Sequence, residues 1–168
     1  MSSFCGRDDG LRLVQEAVAG CPRSFARLWG EYRAVVHAVL LAYVPSRDAD
    51  ELLDRVRRIA ARTIPGLALP AEFAPRLLGI ARRLGRQHGA RPGALRGLLY
   101  IHSNLDGERL LSIIRSLDVG LREPLVLRLV LGLAGTDIAR LMGLPGEQVR
   151  HALAEGLRCV RNRLEEAV

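Results

Sequence analysis

Three clusters of charged and polar residues carry the chemistry open to this chain, and none is built for bond-making. The first is acidic: Asp48, Asp50, Glu51 and Asp54 crowd the start of one amphipathic stretch. Such a cluster can grip a basic protein surface. The second is basic: Arg76, Arg82, Arg83 and Arg86, followed by Arg91, with no acid among them. On a helix Arg76, Arg83 and Arg86 fall at steps of seven and three, on roughly one face, with Arg82 to one side. That face suits a phosphate backbone. Guanidinium planes also stack on unpaired bases, so a single strand fits as well as a duplex. The third cluster, Gln148, Arg150 and His151, opens a helix from which Arg pairs naturally with guanine and Gln with adenine. Glu147 and Glu155 on the same helix repel phosphates and weaken any sequence-independent grip.

Catalytic and metal-binding patterns are missing. There is no glycine-rich phosphate loop, nucleophile elbow or acid pair. His37, His88, His102 and His151 are scattered, and Cys5, Cys21 and Cys159 lack paired spacing, so they read as free thiols in a reducing compartment. The expectation is a protein with no catalytic residue, no metal and no small cofactor.

The elements that must position these clusters are helices. Aromatics are 4%, no period-two run stands out, and Leu, Ala and Arg dominate. The clearest motif is a helix-turn-helix. Gly135 to Met142 forms its first helix with Thr136 as N-cap, Gly143 supplies a left-handed C-cap, and Leu144-Pro145-Gly146 makes the turn. The second helix sets Val149, Leu153, Leu157, Val160 and Leu164 on one apolar stripe. Upstream, a short helix is expected over Leu11 to Gly20, and a long one, capped by Ser24, up to Val44. Asp48 with Glu51 resembles a capping box opening the next helix. Pro65 to Pro70 reads as a loop, and a helix runs from about Glu72 to His88 with Pro75 in its first turn. Gly89 to Gly107 is rich in Gly and Pro and reads as a linker, and the apolar Leu98 to Ile101 inside it is expected to dock on another part of the protein; helices over Glu108 to Leu117 and Arg122 to Leu133 follow.

The fold class is therefore all-α: two small helical domains joined by a flexible linker, the second a four-helix domain containing the helix-turn-helix. The boundaries are 1–23 for an N-terminal extension, 24–90 for the first domain, 91–107 for the linker and 108–168 for the second domain. With 168 residues and 49% hydrophobic content, each half can bury a core. All 25 basic residues are arginine, and the net charge of +7 suits a polyanionic partner. Residues 1–91 carry 15 Arg and 9 acids, whereas 92–168 carry 10 Arg and 9 acids, so the positive charge sits in the first half. No signal peptide or membrane-spanning apolar run is present, and a cytoplasmic protein without membrane insertion is expected.

From about Phe25 to Leu164 the chain resembles the RNA polymerase sigma factors of the extracytoplasmic-function (ECF) type. Asp48-Ala49-Asp50-Glu51-Leu52-Leu53-Asp54-Arg55-Val56 looks like the acidic helix by which that family grips the polymerase clamp. Leu77-Leu78-Gly79-Ile80-Ala81-Arg82-Arg83 looks like its promoter −10 helix, and Leu117 to Leu133 followed by Asp137-Ile138-Ala139 and Gly143-Leu144 looks like its −35 domain. The resemblance implies bacterial core RNA polymerase and promoter DNA as partners, with an anti-sigma protein as a regulator. It assigns polymerase contact to Asp48, Asp50, Glu51 and Asp54; the expected DNA contacts, from charge and helix position, are Arg76, Arg82, Arg83, Arg86, Gln148, Arg150 and His151. Arg76 stands where the family usually has Trp, and Gln148-Val149-Arg150-His151-Ala152 where it usually has Thr-Val-Lys-Ser-Arg. Two alternatives keep the motif without the full activity. One is a sigma-like regulator that binds polymerase or an anti-sigma protein without efficient promoter opening; the other is a plain helix-turn-helix DNA-binding regulator.

Overall fold

The computed structural model describes residues 7–89 and 105–166, and every regular element within them is helical. In chain order these are α1 (Arg7–Val18), α2 (Pro22–Leu41), α3 (Ser46–Thr63), a 3-10 turn (Pro70–Glu72), α4 (Phe73–Gly89), α5 (Leu105–Ser116), α6 (Val119–Leu131), α7 (Gly135–Met142) and α8 (Gly146–Glu165). The all-α class and the helix-turn-helix stand as expected. Residues 90–104, with Arg91 and Leu98 to Ile101, lie outside the described residues, and α5 already begins inside the stretch expected as linker.

Helix starts differ from expectation. Ser24 is not the cap of α2. Pro22 fills the first helical position, where its fixed φ and missing N–H cost nothing, and Cys21 is the extended residue before it. Ser24 is buried one turn in and donates its hydroxyl to Glu16 Oε2 at 2.5 Å, which ties α2 to α1. Likewise Asp48 lies in the first turn of α3 behind Pro45, and Thr136 lies in the first turn of α7 behind Ala134. Neither start has a side-chain cap from its own N-cap residue.

The missing cap of α3 comes from the other half of the chain. Glu108 of α5 accepts the Ser46 backbone N–H at 3.1 Å and the Ser46 hydroxyl. From the same helix Arg115 donates Nη1 toward the carbonyls of Leu41 and Val44, 3.5 and 3.4 Å away at the C-terminal end of α2. It also pairs with Glu108 at 3.0 Å. An acid at a helix start and a base at a helix end both complement the backbone dipole. Burial pushes the Glu108 carboxyl up, but the Ser46 and Arg115 donors together hold it below its ordinary value.

Next to this contact α6 lies against α2 and carries the one buried glutamate among the described residues. Glu123 has a side chain only 5% exposed. It accepts Arg82 Nε at 2.9 and 2.8 Å, Arg82 Nη2 at 2.8 Å and the Tyr43 hydroxyl at 2.5 Å. Removing one member of such a buried, hydrogen-bonded ion pair costs about 3–5 kcal/mol, because the other is left uncompensated. Around it the apolar side chains of both halves form one continuous core, from Leu13 and Val36 through Leu77 to Leu125, Ile138 and Val160. Leu13 and Ala17 of α1 belong to this core, so the leading helix is packed onto α2.

Burial and donation to Glu123 push the Tyr43 phenol up from 10.0 to about 12. A raised pKa means that the folded state favours the protonated form. The stability Tyr43 contributes is therefore full below pH 10 and is lost as the pH climbs through about 12. Thermal melts of wild type and Tyr43→Phe should converge over that window, with wild type losing more. Parallel pH profiles would show that Tyr43 does not donate to the carboxylate.

Candidate nucleic-acid and partner surfaces

The acidic start of α3 divides into one inward and three outward carboxylates. Asp48 has a side chain only 12% exposed, with Oδ2 3.3 Å from His88 Nε2 of α4 and Oδ1 3.4 Å from Arg47 Nε. It joins α3 to α4 and is closed to a large partner. Asp50, Glu51 and Asp54 are exposed on the side opposite the buried Leu52, Leu53, Val56 and Ala60. Asp50 Oδ1 lies 3.2 Å from His37 Nε2 of α2, and Glu51 and Asp54 form no ion pair with a described residue. Further along, Arg55, Arg57, Arg58 and Arg62 are all exposed, so α3 is acidic where it starts and basic where it ends. That order stabilises the helix through its dipole, and it also leaves a clean acidic patch at one end.

The basic cluster of α4 is split by the fold. Arg76 and Arg83 form no ion pair with a described residue and line an open cleft of about 730 Å³ with Thr63, Leu67, Glu72, Pro75, Gly79 and Ile80. Leu67 comes from the 65–70 loop, in which Gly66 takes φ +93°. Its neighbour Leu69 turns away into a separate groove beside α1 and α2. Arg82 faces the second half, where Glu123 holds it, and the exposed Arg86 guanidinium lies 5.8 Å from the centre of the Tyr43 ring. The sequence expected Arg86 to share a face with Arg76 and Arg83; it does not join them at the cleft.

On α8, Gln148, Arg150 and His151 are all exposed near the helix start, as a groove-reading set requires. Gly143 takes φ +65° and ends α7, so the turn has the expected form. Three arginines here pair with an acid on their own helix, whereas Arg161 and Arg163 form no ion pair with a described residue. Arg140 pairs with Asp137 at 3.1 Å, Arg150 with Glu147 at 3.7 Å and Arg158 with Glu155 at 2.7 Å, each three residues apart. The Arg158 hydrogen bond lowers the Glu155 carboxyl below its ordinary value. Exposed pairs like these add little stability, but they lower the net positive charge along α7 and α8.

The packing of α8 departs from the expected stripe. Val149 and Val160 are buried, whereas Leu157 and Leu164 are 40% and 38% exposed. The buried line runs through Val149, Ala152, Gly156 and Val160. Gly156 sets it, because a Cβ there would lie 2.5 Å from Leu125 Cδ1 of α6. Sequence reasoning read the leucines as the seam and missed the glycine, whose lack of a side chain is what lets the helices approach.

The residues it missed at the interface are Glu123, Glu108 and Arg115. For Glu123 a signal existed: Val119, Gly120, Val126 and Leu127, its helical neighbours, include no cation. A carboxylate on an apolar helix without a local partner needs a distant one. Among the described residues no group of His, Cys, Asp and Glu is placed to hold a metal ion, and no helix is long and apolar enough to cross a membrane.

No family model matches this chain, and no curated protein does. Among solved structures it is similar to CnrH, determined in complex with the cytosolic domain of CnrY. The TM-score is 0.65 at 22% identity, over 95% of this chain and 99% of that one. The likeness shows a shared all-helical fold.

The position of α8 predicts that Gly156→Ala forces Leu125 to move and destabilises the protein by about 1–3 kcal/mol in urea unfolding. Gly146→Ala, with nothing within 4 Å of the added Cβ, should be near neutral. Equal stability of the two variants would mean that α6 and α8 pack differently.

Proposed function

We propose that this chain is a transcription initiation factor of the ECF sigma type, which binds bacterial core RNA polymerase and directs it to promoter DNA. It acts in the cytoplasm, without catalysis of its own. The observation that carries the reading is the layout of the first half: an exposed acidic patch and a cleft lined by two exposed arginines, on consecutive helices. Asp50, Glu51 and Asp54 bind the polymerase, and Asp48 holds α3 in place for them. Arg76 and Arg83 meet the phosphates of the −10 region beside the cleft, while Gln148, Arg150 and His151 read bases upstream. CnrH is solved with the cytosolic domain of a second protein. A protein partner of that kind, acting as an anti-sigma factor, is part of the proposal.

Reversing Asp50, Glu51 and Asp54 to Arg should abolish co-elution of the purified chain with core polymerase and leave its helical circular dichroism intact. Unchanged co-elution would overturn the assignment of the clamp-binding patch.

The pairing of Arg140, Arg150 and Arg158 with acids on their own helices favours a second reading, a sigma-like regulator that opens promoters poorly. The two readings separate in abortive transcription with core polymerase. An active factor yields product on duplex promoters as well as on templates already melted at −10. A regulator yields none on the duplex.

A further inference from the structure

The cation that Glu123 holds is taken from the basic helix itself. We propose that the Glu123–Arg82 pair is a latch, which keeps Arg82 from nucleic acid while the two halves are packed together and releases it when they part. This rests on the reading of α4 as a nucleic-acid surface.

Three observations carry the latch. Arg82 commits Nε and Nη2 to one carboxylate at 2.8–2.9 Å, and its side chain is only 26% exposed. It therefore cannot offer the same fork to a phosphate. Glu123 in turn has no way to stay behind. With Arg82 gone it would sit as a buried anion beside Tyr43, so Arg82 leaves only if α6 leaves with its carboxylate. Finally, Arg76, Arg83 and Arg86 are already exposed, so Arg82 is the one cation of the α4 cluster that the second half holds back. The packed form thus shows part of the basic face, and the parted form all of it. Nucleic acid binds the parted form better, and by linkage it drives the halves apart.

The test is fluorescence anisotropy of the full chain with a labelled, mixed-sequence single-stranded oligodeoxynucleotide across a salt series. Glu123→Gln removes the charge and keeps an acceptor for Tyr43. It should bind several-fold more tightly than wild type, with a log–log salt slope steeper by about 0.7, the value of one added phosphate contact on a single strand. Adding Arg82→Gln should erase the gain. Wild-type binding with no change in slope for Glu123→Gln would overturn the latch.

A charge swap, Arg82→Glu with Glu123→Arg, preserves the pair and serves if the single variant does not fold. A latch that opens predicts weaker binding and a flatter slope for the swap, because the parted α4 then carries a carboxylate. A static pair predicts no change and would overturn the proposal. Absence of binding by every form would instead reject α4 as a nucleic-acid surface, and the latch with it.

Discussion

A carboxylate cannot be left bare inside an apolar contact, and Glu123 imposes that rule on the whole molecule. Its position on α6 fixes that helix where Tyr43 at the end of α2 and Arg82 on α4 both reach one point. For Arg82 to get there, α4 must cross close over the end of α2, and glycines permit the approach. A Cβ at Gly85 would lie 2.9 Å from Tyr43 Cβ, and one at Gly89 would lie 2.8 Å from the Tyr43 carbonyl oxygen. The polar ends of α2 and α3 beside this crossing are then satisfied by Arg115 and Glu108 of α5. Contacts that a single small helical domain makes within itself are made here between the two halves.

The same arrangement divides the charge. In the first half Arg55, Arg57, Arg58, Arg62, Arg76 and Arg83 are exposed and form no ion pair with a described residue. In the helix-turn-helix Arg140, Arg150 and Arg158 each meet an acid three residues earlier. On the proposed reading, a sequence-independent grip on a polyanion would belong to the first half, and the second would contribute shape and base-edge groups at the start of α8.

Much of this was legible in the sequence, because helical periodicity and turn residues are local signals. The helices, the 65–70 loop and the turn through Gly143 all follow from spacing of three and four and from glycine at a left-handed position. Caps were less legible. Ser24, Asp48 and Thr136 are good capping types, yet each sits inside a first turn, since Pro22, Pro45 and the 132–134 turn set the helix boundaries instead. Long-range pairing left no periodic trace at all. Asp48 and Arg82 look like surface charge in the sequence; their partners, His88 and Glu123, are 40 and 41 residues away. Leu157 was read as seam because a stripe of leucines outweighs one glycine in any pattern count. Packing between α6 and α8 reverses that weight at Gly156.

The central claim, that one buried contact holds both halves as a single body, is tested most directly by the distance between them in solution. Spin labels at the exposed Arg57 of α3 and Arg161 of α8, in a chain whose three native cysteines are replaced, report it through dipolar coupling. Without nucleic acid or partner, the packed arrangement predicts a single narrow distance distribution. A broad distribution reaching to long distances would contradict it, showing two domains that move independently on their linker.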